Sequence, residues 1–179
     1  HMFDGAEDHD FNTVIFFPLV YVMLPLSTVS FLGVSGPGEY DGRLLICLFL
    51  LIWSGDIGAY IFGMGFGQRP DSRKLSPALS PKKSWIGAIG GAVVIMLAAW
   101  VLHSVSDLGI PLWHMLGLAL MLGVIDIIGD LFESLIKRHA AVKDAGNIIP
   151  GHGGMLDRFD DVLFALPAAL CYLELFSLI

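Results

Sequence analysis

The sequence predicts an all-α integral membrane helical bundle with about five transmembrane helices, and two observations carry this prediction. First, 55% of the 179 residues are hydrophobic and only 15% are charged, whereas a soluble domain uses about 25% charged residues to cover its surface. Second, the apolar residues form runs of about 20 residues, the length that a helix needs to cross a bilayer. The mean hydropathy of +0.74 agrees with both observations.

Five candidate spans emerge when the chain is cut at its charges, glycines and prolines. They cover approximately residues 11–35, 44–67, 84–106, 109–137 and 155–179. None has the layout of a signal peptide and no internal repeat separates them, so we expect a single transmembrane domain over residues 11–179. Residues 1–10 form an acidic N-terminal segment that begins with His1-Met2, which has the form of a cloning remnant.

The basic residues predict the orientation of the chain, because short cytoplasmic loops carry an excess of Lys and Arg. All but Arg43 lie in two connections, between the second and third spans and around the connection from the fourth to the fifth: Arg69, Arg73, Lys74, Lys82 and Lys83, then Lys137, Arg138, Lys143 and Arg158. Two spans separate these connections, so both fall on one side. We therefore expect a cytoplasmic N-terminus and a C-terminus outside.

Charge, cysteine content and small residues narrow the class of partner. The formal net charge of -7 argues against nucleic acid. Cys47 and Cys171 lie within apolar runs and predict neither a disulfide framework nor a zinc site. Ala59, Gly63 and Gly67 repeat every four residues, which gives a small-residue face that suits a homodimer contact or internal helix packing equally.

Ionisable residues within the fourth predicted span lie on one helix face. Asp126, Asp130, Glu133 or Ser134, and Lys137 recur every three or four residues. Each ionisable group at membrane depth costs about 2.5–3.5 kcal/mol on insertion scales, so such groups usually face a cavity or one another. A helix end that emerges into water would also explain residues 133–138, but it explains the deeper Asp126 and Asp130 less well.

Two further groups of acids accompany this face. Asp56 lies in the second span, where it either pairs with a buried cation or lines a cavity. Asp157, Asp160 and Asp161 lie where the last span begins, and capping of the helix dipole explains one of them but not three. Carboxylates from two helices beside several Lys and Arg are what a magnesium site for phosphates requires.

The C-terminal half of the chain resembles a known family. The pattern spans 27 positions and comprises Ser134, Lys137, Arg138, Lys143 and Asp144, then Pro150, His152, Gly153, Gly154, Asp157, Arg158 and Asp160. It resembles the C-terminal signature of the phosphatidate cytidylyltransferases, the CDP-diacylglycerol synthases. Ser80-Pro-Lys-Lys-Ser-Trp85 is similar to an upstream element of the family, although Ile86 stands where the family usually has Glu.

The resemblance covers residues 44–179, and it implies an activity. Cytidylyl would pass from CTP to the phosphate of phosphatidic acid with release of pyrophosphate, at the cytoplasmic face of a bacterial inner membrane. The implied cofactor is a pair of Mg²⁺ ions, with Mn²⁺ or a monovalent cation open. Family members commonly carry additional N-terminal spans, so the chain is either a fragment or a short member.

The resemblance and the acidic pattern together assign roles to individual residues. Asp130 and Asp157 are expected to hold the metal pair, with Glu133, Asp160 and Asp161 as further ligands, and Lys137 and Arg138 are expected to neutralise phosphates in catalysis. The expected substrate-binding residues are Asp56, Ser80, Lys82, Lys83, Ser134, Lys143, Asp144, His152, Gly153, Gly154 and Arg158. For Lys82 and Lys83, a role as simple topology signals explains the sequence equally well.

Three rival hypotheses remain open at this point. The first is an ion or proton carrier that uses Asp56, Asp126 and Asp130 as an intramembrane relay, which would leave the basic signature without a role. The second is another enzyme of lipid head-group chemistry, either a CDP-alcohol phosphotransferase or a CTP-dependent lipid kinase. The third is an inactive, truncated family member. Release of pyrophosphate rather than CMP or CDP distinguishes the cytidylyltransferase from the first two, and recovery of turnover when missing N-terminal spans are added would identify the third.

Overall fold

The computed structural model describes residues 19–34, 40–69, 71–77, 79–139, 142 and 156–179. In the last of these segments it describes side chains from Phe159 onward. Predicted residues that fall elsewhere, most of the connection before the last helix among them, lie outside the described part of the chain.

The described chain is a bundle of five α-helices, which confirms the predicted all-α membrane fold. The elements are a π-helical turn at Leu19–Met23, α1 at Leu24–Leu32, α2 at Arg43–Gly65, β1 at Lys74–Ser76, β2 at Ser80–Ser84, α3 at Trp85–Ser106, α4 at Leu112–His139 and α5 at Leu156–Leu175. Within the described residues, α2, α3 and α4 are long and apolar enough to cross a membrane. The five-span topology as a whole stays a prediction.

The first basic connection contains a short antiparallel hairpin, which the sequence did not predict. β1 pairs with β2 so that Lys74 lies opposite Ser84 and Ser76 opposite Ser80, with an irregularity between the two pairs. Pro81 and two lysines make β2 a poor strand by intrinsic preference. The hairpin therefore depends on contacts with the end of α2 and the start of α3.

Helices α2 and α3 pack through small residues. A Cβ atom added to Gly58 would lie 2.6 Å from Cβ of Val94, and one added to Gly87 would lie 3.2 Å from Cα of Gly63. The Cβ atom added to Gly87 would also lie 3.0 Å from the carbonyl oxygen of Ala59. The predicted small-residue face thus serves internal packing, because its glycines let two backbones approach more closely than side chains would allow.

Helix α4 forms the centre of the apolar core. Its inner face packs against α3 and α5, and α5 packs in turn against α1. The largest fully buried apolar side chains come from all of the long helices: Leu48, Leu51, Ile52, Ile95, Met115, Leu118, Leu122, Leu166 and Leu173. The polar residues gather at one end of this core, where the hairpin meets the C-terminal half of α4 and the N-terminal half of α5.

Candidate functional site

A cavity of about 490 Å³ opens between α2, the hairpin, α3 and α4. One part of its wall is ionisable and consists of Asp56, Asp126, Asp130, Lys82 and Lys83. The remainder is mainly apolar or small and includes Ala59, Tyr60, Met64, Leu75, Ala88 and Ile127. The cavity therefore offers charged groups on one side and an apolar surface on the other.

A first triad of carboxylates joins three helices at this cavity. Asp56 comes from α2, Asp126 from α4 and Asp161 from α5, and one oxygen atom from each lies within 4.8 Å of the others. All three side chains are half-buried. Like charges at this separation repel strongly in a medium of low dielectric constant, so the arrangement calls for a cation or for bound protons.

A second triad lies beside the first. It comprises Asp130 and Glu133 from α4 and Asp160 from α5, again with carboxylate oxygen atoms within 4.8 Å of one another. Glu133 is only 2% exposed and Asp160 only 6% exposed. Ionised carboxylates this deeply buried need compensation, because desolvation disfavours an uncompensated charge.

Gly129 explains how α5 comes close enough to complete both triads. This buried glycine faces Phe164 of α5, and a Cβ atom at position 129 would lie 3.0 Å from the Phe164 ring. Phe164 also packs edge-on against Phe132, with ring centroids 5.4 Å apart. The small residue on α4 and the aromatic pair set the separation of the two helices. This separation determines how close the acids of α5 lie to those of α4.

Two lysines neutralise part of the negative charge. Lys83 of β2 forms an ion pair with Asp130. Lys137 lies one helical turn after Glu133, and its Nζ atom is 2.5 Å from Oε2 of that residue. Each triad has three carboxylates and one of these lysines paired with it, so the acids outnumber these two cations within the described part of the chain.

The environment of Lys83 shows how the charges balance. Burial lowers the pKa of its ammonium group below the usual value for lysine, and the neighbouring carboxylates of Asp126 and Asp161 offset this shift only in part. The side chain is 25% exposed, and that of its partner Asp130 is 35% exposed. A partly buried lysine whose ammonium group lies at the cavity wall is well placed to contact a negatively charged ligand there.

The donor set of both triads suits a divalent metal ion. Within the described region, Oδ1 of Asp126 and Oε1 of Glu133 are buried and have no hydrogen-bond partner, so each triad presents one carboxylate oxygen that lacks compensation. Hard cations such as Mg²⁺ take oxygen ligands, carboxylates above all. The residues present therefore fit a metal in either triad.

The structure brings together many of the residues that the sequence singled out. Asp56, Lys82, Lys83 and Asp130 line the cavity, and the second triad contains the predicted Glu133 and Asp160. The described residues of the cavity wall and the triads do not include Ser80, Ser134 or Arg138. The side chains of Asp157 and Arg158 lie outside the described residues, as do Lys143, Asp144, His152, Gly153 and Gly154.

Sequence reasoning did not assign Asp126, Gln68 or Ser84 to the site. Asp126 had a signal, since it lies one turn before Asp130 on the polar face of α4. Gln68 and Ser84 line the cavity because of the hairpin, which no pattern in the sequence predicts. Ser84 caps α3, since its Oγ atom accepts a hydrogen bond from the backbone N–H of Gly87 at 3.1 Å.

The fold and the site define a helical membrane protein with two carboxylate triads at one end of its bundle. The model of the cytidylyltransferase family matches residues 4–176 of this chain. The chain therefore belongs to the cytidylyltransferase family, which confirms the resemblance drawn from its motifs.

Curated relatives agree with the family match. The phosphatidate cytidylyltransferase of Bacillus subtilis is 40% identical over 167 residues, which cover 93% of this chain and 61% of the relative. The proteins of the same name from Staphylococcus saprophyticus and Staphylococcus aureus are each 39% identical over 147 residues, which cover 79% of this chain and 55% of theirs. The chain thus spans between 55% and 61% of the length of these relatives.

Proposed function

We propose that this chain carries the catalytic portion of a phosphatidate cytidylyltransferase, an enzyme that converts CTP and phosphatidic acid into CDP-diacylglycerol and pyrophosphate. The observation that carries the proposal is the pair of carboxylate triads, with their lysines Lys83 and Lys137. The acids Asp56, Asp126 and Asp130 of these triads line a cavity whose remaining wall is mainly apolar or small. Both substrates are phosphates, and one of them is a lipid. The names of the curated relatives support the same assignment.

The proposed cofactor is Mg²⁺, held as a pair of ions. Asp130, Glu133 and Asp160 would hold one ion, and Asp56, Asp126 and Asp161 the other, since each set presents oxygen ligands in reach of one centre. Asp157, which we expect from the sequence to hold the metal pair together with Asp130, is a further proposed ligand. When bound, such ions neutralise phosphate charge and stabilise the attacking and leaving oxygens of an in-line displacement.

The proposed reaction requires little covalent help from the protein. An oxygen of the lipid phosphate attacks the α-phosphorus of CTP, a new P–O bond forms, and the bond from that phosphorus to the pyrophosphate oxygen breaks. The attacking oxygen is already ionised at neutral pH, so no general base is needed. Catalysis of this kind is mostly positioning and charge stabilisation.

The basic residues would supply charge stabilisation. Lys82 and Lys83 reach the cavity from the hairpin, and Lys137 lies at the second triad, so these lysines can contact phosphate oxygens as point charges. Arg138 and Arg158 suit bidentate contacts with phosphate. The remaining proposed substrate contacts come from Ser80 and Ser134 and from the signature connection, namely Lys143, Asp144, His152, Gly153 and Gly154.

The apolar wall of the cavity would exclude water and accommodate the lipid. Tyr60 and Met64 are exposed on the outer face of α2 and also line the cavity. The proposed location is the inner membrane of a bacterium, with the triads on the cytoplasmic side where CTP is available. This side agrees with the positive charge of the hairpin.

The test is pyrophosphate release from CTP by the purified chain in detergent, with and without phosphatidic acid and Mg²⁺. Release should require both additions and should fall roughly 100-fold or more in Asp130→Asn, because the transition-state charge loses part of its stabilisation. Asp71→Asn is the matched control, since Asp71 is an exposed acid beside the hairpin and does not line the cavity; its release should be unchanged.

Metal-dependent binding of CTP provides a second readout. Absence of both release and binding in a folded chain would overturn the proposal. Transport of a cation across vesicles without nucleotide would instead support the carrier hypothesis.

A further inference from the structure

A network of side chains joins the hairpin to the C-terminal end of α2. The Nε2 atom of Gln68 donates hydrogen bonds to the carbonyl oxygens of Lys82 at 2.8 Å and of Gly63 at 3.3 Å. A glutamine amide nitrogen has two N–H donors, so both are in use. One of them holds a carbonyl at the end of a helix, and the other holds the middle of β2.

Lys74 completes this network from β1. Its Nζ atom donates to Oε1 of Gln68 at 3.0 Å and to the carbonyl oxygen of Gly67 at 3.0 Å. An ammonium group cannot accept a hydrogen bond, so its contact also fixes which end of the Gln68 amide is the oxygen. We refer to Gln68 and Lys74 with these four hydrogen bonds as the Gln68–Lys74 clamp.

The clamp also contacts the C-terminal end of α2, where the helix carries its negative partial charge. The carbonyl oxygen of Gly63, in the last turn of α2, accepts a hydrogen bond from Gln68 in addition to the one from the backbone N–H of Gly67. The carbonyl oxygen of Gly67, two residues beyond the helix, accepts from the ammonium group of Lys74. The end of α2 and the residues just after it therefore bind the hairpin directly.

Strand β2 is fixed on both sides of Lys83. On one side the backbone of Lys82 is held by Gln68. On the other side Ser84 is buried, caps α3 and packs over Gly67, where there is no room for a Cβ atom. Lys83 lies between these two anchors, and its side chain reaches across the cavity to Asp130 on α4.

We propose that Gln68 and Lys74 are positioning residues that hold the ammonium group of Lys83 at the carboxylate triads. Neither residue needs to touch the reacting atoms for this role. They determine where β2 lies relative to the cavity, and thereby the position of the Lys83 ammonium group relative to the carboxylate of Asp130. The inference rests on the proposed function only for its effect on turnover, because the placement of Lys83 can be measured without any reaction.

The first arm of the test measures how easily Lys83 is acylated by a water-soluble amine-reactive ester, with the extent read by mass spectrometry. Gln68→Ala and Gln68→Glu both remove the N–H donors to Lys82 and Gly63, whereas Gln68→Glu keeps an acceptor for Lys74. In both variants the labelling of Lys83 should rise several-fold relative to the exposed Lys82 on the same strand. Lys74→Met should do the same, and Lys74→Arg should restore slow labelling.

Arg73→Met is the matched control, because it removes one positive charge at the neighbouring position and leaves the four hydrogen bonds of the clamp in place. Its labelling pattern should equal that of the unsubstituted chain. Unchanged labelling of Lys83 in both Gln68→Glu and Lys74→Met would overturn the inference, and so would an equal rise in the Arg73→Met control.

The second arm measures pyrophosphate release. Gln68→Glu should lower kcat by roughly ten- to a hundredfold, the scale expected when a charged group is displaced from its place, with little change in the KM for CTP. A rise in KM at constant kcat would contradict a positioning role. If the unsubstituted chain releases no pyrophosphate, the proposed function fails, while the labelling arm still decides the clamp.

Discussion

At the scale of single residues, the site is defined by carboxylates so close together that their charges would repel one another unless something compensates them. Asp126 illustrates this, since one of its oxygens is buried without a hydrogen-bond partner among the described residues and its neighbours Asp56 and Asp161 are also acidic. Such a residue destabilises the fold unless it binds a cation or a proton. The sign of its contribution to stability should therefore depend on the ion.

We expect Asp126→Asn to melt at the same temperature as the unsubstituted chain, or higher, when divalent ions are removed with EDTA, because repulsion within the first triad falls. Saturating Mg²⁺ should then raise the melting temperature of the unsubstituted chain more than that of the variant. A ligand at about 100 times its Kd adds about 2.7 kcal/mol to stability. The measurement is thermal unfolding in detergent, followed by circular dichroism.

Asp107→Asn serves as the control for this prediction. Asp107 is exposed, lies between α3 and α4 away from the triads, and has a left-handed backbone that Asn also tolerates. Its response to Mg²⁺ should match that of the unsubstituted chain. An equal response to Mg²⁺ in Asp126→Asn would show that the first triad holds no ion.

At the scale of elements, the contact between α2 and α3 determines where Asp56 and the hairpin lie. These helices meet through glycines, and the space between them leaves no room for larger residues. Because α2 carries Asp56 and ends at the clamp, while α3 begins at Ser84, any separation of the two helices would move both sides of the cavity. Packing and site geometry are therefore linked here.

We expect Gly58→Ala to destabilise the chain by about 1–3 kcal/mol, the usual cost of overpacking a close contact, because the added methyl group would overlap Val94. Gly65→Ala is the matched control on the same helix, since a Cβ atom at position 65 meets nothing within 4 Å. Thermal unfolding of both variants in detergent gives the comparison. A loss of similar size in the two variants would contradict the packing argument.

The elements also show what the sequence could predict. The polar face of α4 follows from spacing alone, because Asp126, Asp130 and Glu133 share one side of any α-helix. The long helices follow from apolar runs. The meeting of Asp56 with Asp161 could not be predicted, since it depends on how α2 and α5 pack against α4, and no local pattern encodes that packing.

The hairpin escaped prediction for a different reason. Its strands are short, and β2 contains Pro81 and two lysines, so neither alternation nor β-propensity marks it. It is held by the tertiary contacts of Gln68, which no propensity measures. Sequence reasoning therefore found the lysines of this segment but not the structure that directs them.

At the scale of the whole molecule, the charged residues divide the bundle into two unlike ends. The hairpin lysines and both triads lie at one end, whereas the other end has the exposed His103 in the last turn of α3 and the acidic Asp107 just after that helix. The positive-inside tendency predicts that the hairpin end faces the cytoplasm. This side remains a prediction that labelling in cells can test.

We expect a membrane-impermeant maleimide added to intact bacteria to label Ser104→Cys and not Asp71→Cys, each in a Cys171→Ala background. Ser104 is exposed near the end of α3, and Asp71 is exposed beside the hairpin. Breaking the cells should make Asp71→Cys reactive, which controls for poor intrinsic reactivity. Labelling of Asp71→Cys in intact cells would reverse the proposed orientation.

One uninterrupted helix, α4, supplies carboxylates to both triads. Asp126 and Asp130 are one turn apart, or about 6 Å along the helix axis, and no break separates them. A tilt or rotation of α4 therefore moves its carboxylates in both triads at once, so the geometry of one triad cannot change while that of the other stays the same. The same geometry restricts which insertions the chain tolerates. A single residue inserted between Asp126 and Asp130 would rotate Asp130 and Glu133 by about 100° around the helix axis relative to Asp126.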